Sequence, residues 1–168
     1  IYHHNKRILT IEKVSTSTTM TEETPTTTAP TAADAVPEAI PSTIPTTMKR
    51  LVVTAPGKDV ASCTIEIEEV PVPKPGSGEV LIKVAAAAIN PSDYMAWAGC
   101  KPEQCPFAMG SEGSGVVVAT GEGYATTLST FTCKVGTKVG FIGLKNKQGA
   151  YSEYVVASAM ESVFTLPD

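Results

Sequence analysis

Residues 88–99 read A-I-N-P-S-D-Y-M-A-W-A-G, and residues 109–118 read M-G-S-E-G-S-G-V-V-V. The first stretch has the grammar of one short helix. Asn90 stands at the cap, Pro91 follows at the first helical position, where its missing N–H costs nothing, and Gly99 marks the end. The second stretch is glycine-rich and closes on three valines, whose branched side chains pack well on a pleated surface. Together the two halves hold an amide, two carboxylates and several hydroxyls, at Asn90, Asp93, Tyr94, Ser111 and Glu112, with neither histidine nor cysteine among them.

Outward from this centre the chain alternates short apolar or β-branched runs with Gly and Pro, the pattern of an all-β domain. The expected strands are Arg50 to Thr54, Thr64 to Val70, Glu79 to Ala87, Gly115 to Thr120, Lys138 to Ile142 and Ala150 to Ala157. In the second of these, Ile65 and Ile67 alternate with Glu66 and Glu68, which predicts one buried and one wet face. The run P-V-P-K-P-G-S-G at 71–78 reads as a turn, because its prolines remove ladder donors. A small, partly open β-barrel with one or two short helices is the expected architecture. The run from Gly121 to Val135 is long for a connection.

Bulk properties narrow the function. The 168 residues have room for one domain and a tail, and 42% hydrophobic content is compatible with a packed core. A net charge of -4 without a block of Lys or Arg argues against nucleic acid. The longest apolar run, Val84 to Ile89, is far short of the roughly 20 residues that span a bilayer, so no membrane is expected. Cys63, Cys100, Cys105 and Cys133 lack the paired C-x-x-C spacing of a zinc site. Reduced structural thiols fit best and point to a cytoplasmic protein; a Cys100 to Cys105 disulfide and a metal site are the weaker alternatives.

Residues 15–47 hold twelve threonines and five prolines with no aromatic residue and no Lys or Arg. Such a segment buries too little apolar surface to offset its ordering entropy. Residues 1–47 are therefore expected to be a disordered tail and 48–168 the folded domain, with Met48 the favoured start. The acidic residues at Glu22, Glu23, Asp34 and Glu38 do not fit a mitochondrial presequence.

Gly113 and Gly115 open a G-x-G-x-x-G pattern that fails at Val118, and Gly121 and Gly123 fail likewise at Thr126. Both lack the strand–turn–helix context of a phosphate-binding loop. Neither is a cofactor cradle.

The pieces N-P-x-D (Asn90, Pro91, Asp93), Gly99 and G-x-E-x-x-G-x-V (Gly110, Glu112, Gly115, Val117) stand in this order between K-R-L-V-V-T-A-P-G near 49–57 and L-P-D at 166–168. They resemble the zinc-free quinone-oxidoreductase and enoyl-reductase branch of the medium-chain dehydrogenase/reductase superfamily, over about Met48 to Asp168. The resemblance implies the GroES-like catalytic domain, with the helix after Asn90 lining the cleft. In the zinc enzymes of the superfamily a cysteine stands in the place of Asn90 and a histidine in that of Ser111. Asn90 and Ser111 supply neither ligand, so no zinc is expected.

The same resemblance implies hydride transfer from NADPH to a quinone, an enone or an enoyl thioester, with donors stabilising the oxyanion. Asn90 is the candidate donor, and Asn90 with Pro91 the candidate contact to the nicotinamide; the other reading of Asn90 is a helix cap. Tyr94 is the candidate proton donor, against an aromatic packed on the barrel. Asp93 reads as an acid favourable to the helix dipole and Glu112 as a structural acceptor. The family's frequent tyrosine and arginine beyond this point are Met95 and Trp97 here.

The superfamily's NADPH-binding Rossmann domain would begin where this chain stops, so a fragment, or a gene product truncated at the domain boundary, inactive alone, is expected. A homodimer is the assembly the resemblance allows for the longer parent. The alternative is a non-catalytic GroES-like interaction module.

Overall fold

The computed structural model describes residues 8–9, 43–122, 133–144 and 148–167. Most of the segment expected to be a disordered tail, and residues 123–132 of the long connection, lie outside them.

Strands β1 (Ile8–Leu9), β2 (Thr47–Ala55), β3 (Thr64–Pro71), β4 (Glu79–Ala88), β5 (Phe107–Ala108), β6 (Glu112–Thr120), β7 (Lys138–Ile142), β8 (Tyr154–Ser158) and β9 (Val163–Thr165) accompany one helix, α1 (Pro91–Gly99), which buries only Asp93 and Trp97. Two single-turn 3-10 helices, η1 (Val60–Ser62) and η2 (Pro102–Gln104), complete the elements. One sheet runs β1-β4-β6-β7-β9 with β8 also on β4, and a second runs β3-β2-β5. All named pairings are antiparallel. This is the expected partly open barrel with a single α-helix.

The long strand β4 organises the core. Along it, side chains alternate between faces. Val80 and Ile82 enter the main cluster with Val53, Val117, Val139, Phe141 and Val155, while Leu81 joins Met48, Val118, Tyr154 and Val156 on the other side. Register shifts between Leu81 and Ile82 and between Val84 and Ala86 interrupt its pairing with β6. Irregularities of this kind increase local twist and help a sheet curl. The second sheet is tied to the first by Leu51 N donating to Tyr151 O (2.9 Å) and Glu153 N to Lys49 O (3.0 Å).

The proline-rich turn forms as expected, with Gly78 at positive φ and Glu79 N bonded to Gly76 O at 3.1 Å. Three short strands, β1, β5 and β9, were not legible, and two pairings reach into the span 1–47: Ile8 opposite Ala88, and Thr47 opposite Pro71. The expected burial of one face of β3 is corrected. Ile65 and Ile67 are exposed, the latter by 64%. β3 is the edge of the small sheet, and among the described residues nothing buries either isoleucine.

Candidate functional site

The cap of α1 forms in an unexpected way. Asn90 has extended backbone angles, and its N–H donates to Asp93 Oδ2 at 2.8 Å. The Asn90 side chain also reaches away from the helix: its Nδ2 donates to Glu112 Oε1 at 3.0 Å, across to the first residue of β6. The helix start is therefore pinned to the glycine-rich strand by an amide–carboxylate bond.

Asp93 is 4% exposed. A buried carboxylate is tolerated only when its lone pairs are occupied. Ser111 Oγ donates to its Oδ1 at 3.1 Å, and Tyr151 Oη lies 3.3 Å from its Oδ2. The Tyr151 hydroxyl also donates to Ala88 O at 3.0 Å. A phenol has one proton, so these two acceptors share it. Asn90, Asp93, Ser111, Glu112 and Tyr151 form one polar cluster, drawn from three places in the chain.

Tyr151 is delivered by backbone geometry. Tyr151 N donates to Met109 O at 2.9 Å and Ala150 N to Gly110 O at 3.0 Å. Gly110 has φ +87°, and a Cβ there would lie 2.6 Å from the Tyr151 ring. Only glycine meets both demands. Beyond the ring sits Trp97, edge-on at 5.7 Å, and Tyr94 stacks edge-on against Trp97 at 5.3 Å.

The candidate residues thus separate. Asn90 lies in the cluster. Pro91 is exposed at the first helical position, and Tyr94 is half-exposed, its ring against Trp97 and outside the hydrogen-bonded set. The residue that sequence reasoning missed is Tyr151, placed there only within an expected strand. No local pattern marks which tyrosine will reach a carboxylate 58 positions away.

A cleft of about 210 Å³ opens beside the cluster, lined by Phe107, Ala108, Gly110, Ser111, Leu144 and Gly149 among others. Ser111 belongs to both. Among the described residues no group of three or more His, Cys, Asp or Glu is arranged to hold a metal ion, and no strand–glycine turn–helix unit is present to hold a dinucleotide. Likewise, no described helix is long and apolar enough to cross a membrane.

Burial, and then the Asp93 carboxylate beside it, push the Tyr151 hydroxyl well above the usual tyrosine range. A group whose pKa rises on folding contributes stability that is complete below its unfolded value, about 10, and is lost as pH climbs beyond it. Stability should therefore fall above pH ~10. In alkaline absorbance titration of the folded chain, ionisation should lag behind that of the unfolded chain. Tyr151→Phe should shorten the lag; an unchanged curve would refute the assignment to Tyr151.

Two antiparallel sheets curled into a half-open barrel, with one α-helix, define the class of fold. Residues 76–168, more than half of the chain, match the alcohol dehydrogenase GroES-like domain. The chain belongs to that family, within the medium-chain dehydrogenase/reductase superfamily.

It is 37% identical over 93 residues to a zinc-type alcohol dehydrogenase-like protein of Schizosaccharomyces pombe, covering 55% of this chain and 27% of that one. It is 36% identical over 101 residues to a trans-enoyl reductase of Aspergillus flavipes, covering 58% and 29%. In structure it is similar to a putative NADPH:quinone reductase of Mesorhizobium loti, with TM-score 0.56 and 34% identity over 75% of this chain and 38% of that one. The chain spans under a third of the length of the two curated relatives.

Proposed function

We propose that this chain is the substrate-side domain of an NADPH-dependent, zinc-independent oxidoreductase that reduces quinones, enones or enoyl thioesters. The observation that carries the reading is the bond from Asn90 Nδ2 to Glu112 Oε1. It fixes the plane of the amide and leaves its second N–H to meet a substrate oxygen. At the companion position the one hydroxyl proton of Ser111 is already given to Asp93, so Asn90 is the donor of the pair left for a substrate oxygen. Neither is a thiolate or an imidazole, so the donor set suits an oxyanion better than a zinc ion. The similarity to an NADPH:quinone reductase and a trans-enoyl reductase supports the same substrate class.

When bound, the nicotinamide supplies the hydride. What this chain contributes is position and charge stabilisation. Asn90 faces the oxygen on which negative charge develops, Glu112 holds Asn90 in place, and Asp93 keeps Ser111 and Tyr151 in register. At about 210 Å³ the cleft is below the roughly 300–1,000 Å³ of a complete ligand site, which fits one wall of a site shared with a cofactor domain. Asn90 and Pro91, at the helix start, are the residues of this chain that would face the nicotinamide, and Tyr94 is a proton donor only if substrate binding brings it over the cleft.

The test joins the chain through Asp168 to the Rossmann domain of a quinone-reductase relative and follows NADPH oxidation with quinones and enones. Turnover that survives a strong chelator is expected. Asn90→Ala, which removes one donor to a developing oxyanion, should lower kcat/KM by about 100-fold. A folded fusion with no turnover on any acceptor, or turnover abolished by chelator and restored by zinc, would defeat the proposal.

A further inference from the structure

A second chemical feature lies at the opposite end of α1. Cys100 caps its C-terminus and is 8% exposed. Its Sγ lies 3.8 Å from Cys105 Sγ. The intervening residues are already wound into the turn that brings the sulfurs together: Gln104 N donates to Lys101 O at 2.8 Å, Cys105 N to Pro102 O at 3.2 Å and Lys101 N to Gln104 Oε1 at 2.7 Å. A disulfide needs about 2.05 Å between sulfurs, so the pair has less than 2 Å to close.

The two thiols differ in environment. Burial first, and then its bond to Cys105, push the Cys100 thiol up, and at 8% exposure it is the less accessible of the two sulfurs. Cys105 is half-buried and lines a groove of about 370 Å³ with Pro102, Pro106, Glu66 and Ile67, open to small solutes. A third thiol, Cys63, stands near enough to act on Cys100, and its Sγ is held by Asp59 O at 3.2 Å and Trp97 O at 3.7 Å.

We propose that Cys100 and Cys105 form a reversible dithiol–disulfide site, oxidised by hydroperoxides and reset by small thiols. The Cys105 thiolate attacks a peroxide oxygen, the O–O bond breaks, and the departing hydroxide takes up a proton as water, leaving a sulfenic acid. The Cys100 sulfur then attacks the Cys105 sulfur. The S–S bond forms, the S–O bond breaks, and the Cys100 proton leaves with the hydroxyl as a second water. Two thiols are oxidised by two electrons and one peroxide is reduced. A dithiol reverses the step by exchange and is itself oxidised to a disulfide. Closure ties the last turn of α1 to η2, while Asn90 and Asp93 occupy the first turn of the same helix or its cap.

The sequence offers a direct assay, because Glu103 lies between the two cysteines. The full chain is treated with hydrogen peroxide, its remaining thiols are alkylated, and the denatured protein is cut by a glutamate-specific protease. The peptides carrying Cys100 and Cys105 should stay joined, lighter by two hydrogens than their sum, and separate after dithiothreitol. In Cys100→Ser, Cys105 should accumulate as a sulfenic acid trapped by dimedone; in Cys105→Ser, Cys100 should remain alkylatable at the same dose. Separate peptides after peroxide, unmodified or over-oxidised, would overturn the site, as would a bridge to Cys63 or Cys133 in its place. Should either variant fail to fold, peptide mapping of the unaltered chain decides alone.

Discussion

Asp93→Ala should destabilise the domain by about 3 kcal/mol, several times what an exposed acid in the first turn of a helix contributes. The removed carboxylate accepts from Asn90 N–H and Ser111 Oγ and shares the Tyr151 proton, all from a position that is 4% exposed. The donors do not lose equally. Ser111 is exposed and can turn to water, and Tyr151 retains Ala88 O. The Asn90 N–H loses its acceptor at the helix start, and a small cavity remains.

Two competing causes predict different patterns. If Asp93 acts mainly through the helix dipole, Asp93→Ala and Asp93→Asn should each cost about 0.3–1 kcal/mol, and the cost should shrink with salt. If the hydrogen-bonded cluster dominates, Asp93→Asn should fall between wild type and Ala at roughly 1–2 kcal/mol, because one carbonyl oxygen still accepts while the new NH₂ opposes a donor. Salt should then matter little. Urea unfolding of the three proteins at low and high salt distinguishes the patterns; a loss below about 1 kcal/mol for Asp93→Ala would leave the dipole as the explanation.

The helix was legible in the sequence to its ends because its signals are local: a cap, a proline at the first position and a terminal glycine lie within one short stretch, and α1 runs Pro91–Gly99. Strands β4 and β7 were legible because each is an apolar run bounded by glycine or proline, Gly78 and Pro91 for the first and Gly136 and Gly143 for the second. Strands β5 and β9, of two and three residues, exist only because a partner strand passes beside them.

β3 shows the limit of periodicity. The alternation of Ile65 and Ile67 with glutamates was present, but alternation states that a strand has two unlike faces, not that something covers one of them. Edge position in a three-stranded sheet decided the outcome. In the site the same division holds. Asn90 could be named from its motif, and Asp93 from its place in the helix. The meeting of Asp93 with Ser111 and Tyr151 required the segment before β6 and the segment before β8 to converge on one helix start, a tertiary fact that no window of sequence contains.

Gly115→Ala should cost about 3 kcal/mol or more, whereas Gly99→Ala should be neutral or stabilise by up to about 1 kcal/mol. Both glycines belong to the motif that marks the family, and neither has a positive φ. Conformational freedom is therefore not the reason for either. The difference is space. A Cβ on Gly99 meets nothing within 4 Å, so alanine there mainly reduces the entropy of the unfolded chain. A Cβ on Gly115 would land on the Lys83 carbonyl oxygen, with Ile82 Cγ2 at 2.9 Å. Gly115 pairs with Val84 on one side and Val139 on the other, so β6 cannot move away from β4 without disturbing β7. The nearest atom is backbone, which has no rotamer to yield. The close approach of β6 to β4 at this glycine also sets where Glu112, three residues earlier along the strand, stands relative to Asn90. Loss of stability in Gly115→Ala should therefore come with weakened packing around α1, read as a red shift of Trp97 fluorescence under native conditions, the only tryptophan in the chain. Equal unfolding midpoints for the two alanine variants would show that the β4–β6 contact relaxes freely, and the role of this glycine as a spacing device would fall.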